Sequence, residues 1–286
     1  MTSAVLEIQP TSEERLYVIG DIHGCFDELI ALESKIRRSA KRAKIKKYKI
    51  ISVGDLCDRG PDTKKVIEHF VNGKTEGTHD FVLGNHEMFF MLAFWGLRPD
   101  LLKQAEINLN WVHHALSDIY KSVKLQVQSW RMNGGEHVFR SYDADINDLS
   151  TWEKIPLGHL SLLFSAPLAV VSPTAIITHA VLHEGDLEVL KERDAGSRKT
   201  DKKVLESLHR CLWEREFPGR KIDADRRHIS GHTPTETVVR DANLGVFQID
   251  TGAVYGKKLT AINLENFRTI SVDSSFTYQR RMGQDE

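Results

Sequence analysis

Three cysteines, at positions 25, 57 and 211, are too few and too scattered for a disulfide framework, and they form no CxxC pair for zinc. No apolar run reaches the ~18–20 residues that span a bilayer. The opening "MTSAVLEIQPTSEERL" lacks a basic stretch followed by an apolar one, so no secretory signal is expected. A reducing, cytoplasmic setting and no membrane partner are the expectation. Neither sign of charge dominates, with 39 Lys plus Arg against 40 Asp plus Glu in 286 residues. Net charge therefore says little about partners. No Gly/Ser/Pro linker, internal repeat or low-complexity tract divides the chain. One domain over residues 1–286, with a helical insertion at about 88–165, is the expected organisation.

The first third alternates two periodicities. "RLYVIG", "KIISVG" and "HDFVLG" are apolar runs of strand length. Between them, "CFDELIALESKIRRSAKR" carries Phe26, Leu29, Ile30, Leu32 and Ile36 at helical spacing. "DTKKVIEHFVN" opens a second helix after Pro61, with Asp62 near its start. This β-α-β-α-β order predicts parallel strands in one sheet, whose C-terminal ends gather ligands. The middle changes character: "FFMLAFWGL" and "NLNWVHHALSDIYKSVKLQVQSW" are helical and aromatic. Strand signals return at "LAVVS", "AIITHA", "HISGHT", "GVFQIDTG", "LTAINL" and "TISVDS", and the tail "SFTYQRRMGQDE" is expected to fray.

Each of the first three strands ends in a glycine and a polar cluster: "GDIHG" at 20–24, "GDLCDRG" at 54–60 and "GNHE" at 84–87. Any one of these alone reads as a polar turn. A parallel sheet, however, brings all three to one edge. Downstream, "AIITHA" supplies His179 and "HISGHTP" supplies His232. Asp21, His23, Asp55, Asn85, His179 and His232 together offer carboxylate, amide and imidazole groups. Six ligands exceed one tetrahedral zinc with an open position. They suit two divalent metals sharing a bridging carboxylate, the arrangement that clamps both oxygens of an in-line phosphoryl displacement. The hard oxygen-and-nitrogen set, without thiolate, fits Mn²⁺ best, with Fe or Zn²⁺ also suited.

In order and kind, "GDIHG", "GDLCDRG", "GNHE", "HA" and "GHTP" resemble the signature set of the PPP-type phosphoprotein phosphatases, within the calcineurin-like metallophosphoesterases. "WRMNGGEHVFRSY" (130–142) and "IDTGAVYGKKLTAINL" (249–264) resemble segments of its bacterial and lambda-phage branch, which also holds diadenosine tetraphosphatases. The resemblance implies an α/β fold, a sandwich of two mixed β-sheets flanked by helices. It implies that Asp21 and His23 hold one metal, Asn85, His179 and His232 the other, and that Asp55 bridges. It implies phosphate binding by Arg59, by Asn85 and, through "LWERE", by Arg215. His86 is then the acid for the leaving oxygen, and Asp58 orients it. Water attacks directly, with no phosphoenzyme. The leading implied substrate is phosphoserine or phosphothreonine in a protein or peptide. The alternative is a dinucleoside tetraphosphate, or a related nucleotide or RNA 5′-end anhydride; the remote one is a catalytically weak binding module. One departure stands out: Val181 occupies a position where that family has glycine.

Other residues have plainer readings. Cys25 and Cys57, inside the metal-bearing loops, are expected to be packing residues. His113 and His114 are expected to be exposed or packed helix residues of the insertion rather than extra ligands, and its aromatic helices are expected to border the cleft. The basic run "KIRRSAKRAKIKKYK" (35–49) is expected to be a solvated face, without a stable nucleic-acid partner, although it mildly favours a nucleotide substrate.

Overall fold

The computed structural model describes residues 3–196 and 199–279. In chain order its strands are β1 (Val5–Glu7), β2 (Glu14–Ile19), β3 (Lys47–Ser52), β4 (His79–Phe81), β5 (Ala169–Val171), β6 (Ala175–Thr178), β7 (Arg227–Ser230), β8 (Val239–Asp241), β9 (Val246–Gln248), β10 (Lys258–Asn263) and β11 (Thr269–Asp273). The helices are α1 (Phe26–Arg42), α2 (Thr63–Thr75), α3 (Asn85–Leu97), α4 (Pro99–Gln104), α5 (Trp111–Ile119), α6 (Val123–Met132), α7 (Glu136–Ser141), α8 (Leu157–Phe164), α9 (Asp186–Asp194) and α10 (Lys202–Trp213).

The strands form two mixed sheets, ordered β11-β10-β2-β3-β4 and β1-β5-β6-β7-β9-β8. In the first sheet β2, β3 and β4 run parallel, as their helical crossovers require. β10 closes it antiparallel to β2. Period-two alternation divides the side chains between two cores. Leu16, Val18 and Ile51 meet Ile177 and Ile229 between the sheets. Tyr17, Ile19 and Ile50 face the other way, onto Leu29, Leu32 and Ile36 of α1 and Phe70 of α2.

Several expectations need correction. Ile30 lies off the buried stripe of α1 and is 38% exposed, while Glu33 occupies a buried position on that helix. β1 and β8 are not among the expected strands; each is a three-residue edge strand, too short to show a pattern. The run at 108–130 breaks into α5 and α6, with Ser122 Oγ capping the second. The tail does not fray as far as Gln279. The amides of Tyr278 and Gln279 both donate to Val254 O (3.0 Å each). The remainder of that tail, 280–286, lies outside the described residues.

The helices between β4 and β5 carry their own aromatic centre. Phe90, Phe94, Trp130, Phe139 and Trp152 are all buried, with neighbouring ring centroids 4.5–5.6 Å apart. His113 is buried and stacks on Phe164, while His114 is exposed and lies edge-on to Trp95.

Candidate dimetal site

The C-terminal ends of β2, β3 and β4 deliver their loops to one place, and the ends of β6 and β7 meet them across the sandwich. Asp21, His23, Asp55, Asn85, His86, His179 and His232 all converge there, and all are buried. The backbone is bent to bring them in. His23 (φ 45°), Asp55 (φ 51°), Asp58 (φ 71°), Arg59 (φ 65°) and His232 (φ 70°) all occupy the left-handed region that L-residues resist. Gly231 is required by close approach, because a Cβ there would collide with the Asp21 carboxylate.

Hydrogen positions follow from the partners. His23 Nδ1 is 2.8 Å from Cys57 O, and His179 Nδ1 is 2.9 Å from Val53 O. A carbonyl only accepts, so each Nδ1 carries the proton and each Nε2 of a neutral ring presents a lone pair. The His179 lone pair points inward at other acceptors, while that of His23 lies beside Asp55 and also takes an N–H of Arg59 (2.6 Å). Asp55 Oδ2 is 3.4 Å from His23 Nε2 and 3.5 Å from His179 Nε2. Asn85 Oδ1 is 2.8 Å from His179 Nε2 and 3.1 Å from His232 Nδ1. Asp21 accepts from the His232 amide through both oxygens (3.2 and 3.1 Å). Acceptors facing acceptors in a buried space are costly unless a cation joins them. The donor set therefore fits divalent ions, with Asp55 between two groups of ligands.

Electrostatics agree. Burial, then the charges of Asp250 and Asp55, push the Asp21 carboxyl well above its usual range. Burial pushes Asp55 up to about 7, against the pull of Arg59. Burial pulls His179 down to about 4 and holds His23 and His232 well below the usual imidazole range. The site disfavours protons on its imidazoles and negative charge on its carboxylates. A divalent charge reverses the carboxylate cost and takes neutral imidazole as ligand.

The remaining predicted residues surround this centre. His86 Nδ1 meets Asp58 Oδ2 at 2.5 Å, and its Nε2 faces Asp55 Oδ2 at 3.9 Å. Arg59 Nη1 reaches His23 Nε2 at 2.6 Å, and its guanidinium lies over the Tyr255 ring (5.7 Å). Arg215 is exposed, yet its charge is felt at Asp55 and His232. Val181 is buried, and its amide donates to Glu214 O (3.4 Å), tying the end of β6 to the segment that carries Arg215. Cys25 and Cys57 are buried free thiols whose pKa burial pushes up, consistent with packing.

Three residues given no role from sequence turn out to hold the site. Glu87, third residue of α3, accepts from the amides of Asp55 (2.8 Å), Leu56 (2.8 Å), Cys57 (3.2 Å) and Gly84 (3.1 Å). A Glu at this helix position is a capping signal, so "GNHE" already contained it. Asp250 ends "VFQID" as Asp21 ends "LYVIGD", and the same strand-end signal would have found it. Trp130 of α6 donates Nε1–H to both oxygens of Asp58 (2.9 and 2.8 Å). No local signal could link residues 72 apart in sequence. The next loop adds a second tie, since the Arg59 amide donates to Gly134 O (3.3 Å). The helical insertion thus buttresses both Asp58 and Arg59.

The basic run lies elsewhere. It covers the C-terminal part of α1 and the entry to β3, the opposite end of a strand about 20 Å long at ~3.3 Å per residue. Its mild support for a nucleotide substrate therefore falls away.

Among the described residues no helix is long and apolar enough to cross a membrane. Comparison with known proteins agrees with the site. A bis(5′-nucleosyl)-tetraphosphatase PrpE [asymmetrical] of Bacillus velezensis is 28% identical, covering 91% of this chain and 93% of that protein. The serine/threonine-protein phosphatase 1 of Salmonella typhimurium is 27% identical over 90% of this chain and 95% of its own. A protein serine/threonine phosphatase structure from Saccharomyces cerevisiae shares the fold at a TM-score of 0.54 and 14% identity, covering 96% of this chain and 84% of that one. The calcineurin-like phosphoesterase profile matches residues 14–236, most of the chain and every candidate metal ligand described above, and the chain belongs to that family.

Proposed function

We propose that this metallophosphoesterase hydrolyses a phosphoanhydride of a dinucleoside tetraphosphate by direct attack of water. The observation that carries the hydrolytic reading is the proton-free Nε2 of His179 facing Asp55 Oδ2 and Asn85 Oδ1, with His23 and His232 converging on the same two oxygens. Asp21 and His23 would hold one ion, Asn85, His179 and His232 the other, with Asp55 shared. Mn²⁺ is the proposed metal. Ions bound there supply a Lewis acid for the phosphoryl oxygens and lower the pKa of water from 15.7 toward ~7.

The chain's own groups do the rest. Arg59 and Arg215 bind phosphate oxygens, Arg59 through a planar fork that matches them. Asn85 adds a polar contact at the same place. Asp58, fixed by Trp130, accepts the Nδ1–H of His86 and aims Nε2 into the site. A proton on His86 Nε2 passes to the departing oxygen, and the Asp58 charge supports the ring while it carries that proton.

The substrate class rests on what flanks the metals. Tyr255, under the Arg59 guanidinium (5.7 Å), and Trp213, edge-on to His232 (5.9 Å), are partly buried aromatic rings beside the site, of the kind that binds bases. The Bacillus relative's name points the same way. A second reading, a phosphoserine or phosphothreonine protein, is supported by the name of the Salmonella relative.

The test is turnover of diadenosine tetraphosphate and of a phosphothreonine peptide, side by side in Mn²⁺, with Asp21→Asn as control. A kcat/KM at least ~10²-fold higher for the nucleotide is expected, since each buried contact made by only one substrate contributes about 1–3 kcal/mol. The reverse preference replaces this reading with the protein phosphatase. Full activity in Asp21→Asn removes the metal assignment.

A further inference from the structure

We propose a third divalent-cation site, of the zinc class, formed by Glu33, His69 and His79 at the end of the parallel strands away from the catalytic edge. The three come from separate elements: Glu33 from α1, His69 from α2, and His79 as the first residue of β4. Their ligand atoms all lie within 4.8 Å of one another. Glu33 Oε1 is 2.7 Å from His69 Nε2 and 3.1 Å from His79 Nε2. Glu33 interrupts the apolar stripe of α1 between Leu32 and Ile36, and it is buried. An ionised side chain in such a position needs a specific partner.

The geometry supplies the ligands for such a partner. Gly73 O already accepts the Thr78 amide (2.8 Å), so the Thr78 hydroxyl can donate either to it (3.2 Å) or to His79 Nδ1 (2.9 Å), and His79 can present either a proton or a lone pair at Nε2. With Nδ1 protonated, the Nε2 lone pair faces, at 3.1 Å, the Glu33 oxygen that is shared with His69, and a cation would join the three. Two imidazoles and a carboxylate form an N₂O set that suits zinc, with water as fourth ligand. Thr78 is the outer partner that fixes which nitrogen of His79 faces inward.

The surroundings are built to hold this arrangement. α2 passes so close to His79 that a Cβ at Gly73 would collide with the ring. Phe26 lies edge-on to His69 and Phe70 to His79 (centroids 6.1 and 5.3 Å). The His69 side chain keeps 26% of its surface exposed, which gives an ion a way in. An ion there pins α1 and α2 to the start of β4, the strand that leads to Asn85 and His86.

The site is tested by counting metal. Chelator-stripped wild-type protein, His69→Ala and Glu33→Gln are dialysed against micromolar Zn²⁺ and analysed by plasma mass spectrometry, with circular dichroism as the check on folding. The expected result is one ion fewer per chain in each folded variant than in wild type, with Mn²⁺-dependent turnover of p-nitrophenyl phosphate unchanged. Equal metal content in wild type and a folded variant overturns the proposal and leaves a proton between the three side chains. Should neither variant fold, wild-type crystals soaked in Zn²⁺ decide: an anomalous zinc peak within ligand distance of Glu33, His69 and His79 supports the site, and no peak there overturns it. The difference of one between wild type and variant does not depend on how many ions the catalytic edge holds, so failure of the dimetal reading remains distinguishable.

Discussion

At one end of β2, β3 and β4 the chain leaves the sheet through backbone that L-residues resist. His23, Asp55, Asp58 and Arg59 all have positive φ within two such loops, and His232 joins them from the facing sheet. At the other end the chain enters the same strands through ordinary turns, with Lys44 (φ 57°) the one such non-glycine residue among those described there. Each left-handed residue costs on the order of 1–3 kcal/mol and persists only where its surroundings over-determine it. At the catalytic edge they do so: Glu87 collects four amides, Trp130 clamps Asp58, and Gly134 O holds the Arg59 amide. The other end has a buried polar cluster too, in Glu33, His69 and His79, but it sits on regular helix and strand backbone. What sets the proposed reaction site apart from this second cluster is polar burial combined with locally strained, externally braced backbone.

This contrast can be broken by mutation, beginning with the change that should matter most. Asp55→Asn removes the one carboxylate facing both ligand groups, and activity should fall by ~10³-fold or more, the several kcal/mol of charge stabilisation that metals supply. Its circular dichroism spectrum should match wild type. Wild-type turnover in this variant would mean that the strained edge is not the reacting one. His86→Asn should cost ~10²–10⁴-fold on an alkyl phosphate and far less on p-nitrophenyl phosphate, whose leaving group barely needs a proton. Equal losses on both substrates would argue against His86 as the acid.

Trp130→Phe keeps the ring and removes the N–H that Asp58 accepts. A hydrogen bond to a charged group contributes ~1.5–3 kcal/mol, so kcat should drop about tenfold while KM holds. No change in kcat would show that the insertion packs beside the site without bracing it. The smallest effect is expected at the far end. Reversing charge at Lys41, Arg42, Lys46 and Lys47 should alter kcat/KM for either substrate by less than about threefold, as screened charges beyond a ~10 Å Debye length do. A larger change confined to the nucleotide would bring the basic run back into substrate binding.

Much of the fold and of the candidate site is legible in the sequence. The three strand-end clusters share one signal, an apolar run closed by glycine and a polar pair, and parallel strands bring such ends together by necessity. Asn85 and His86 open α3 directly, four residues before the apolar run "FFMLAFWGL" begins. What the sequence hides are contacts whose partners lie far apart in the chain and share no periodicity. Trp130 reads as one more buried aromatic, and its second function exists only because α6 packs beside the loop after β3. Glu33 falls between the apolar positions Leu32 and Ile36 of α1, and His79 opens the run "HDFVLG"; nothing in either pattern points to the other. Only the approach of α2 to β4, through Gly73, makes them neighbours. β1 and β8 are hidden for a simpler reason: three residues carry too little pattern to separate an edge strand from a loop.

The central claim is that Asp55 sits between two metal ions at the strained edge. It is tested most directly by anomalous diffraction from crystals grown with Mn²⁺. The account predicts two peaks, one within ligand distance of Asp21, His23 and Asp55, and the other within ligand distance of Asp55, Asn85, His179 and His232. A single peak, or none at this edge in protein that still turns over substrate, would contradict it.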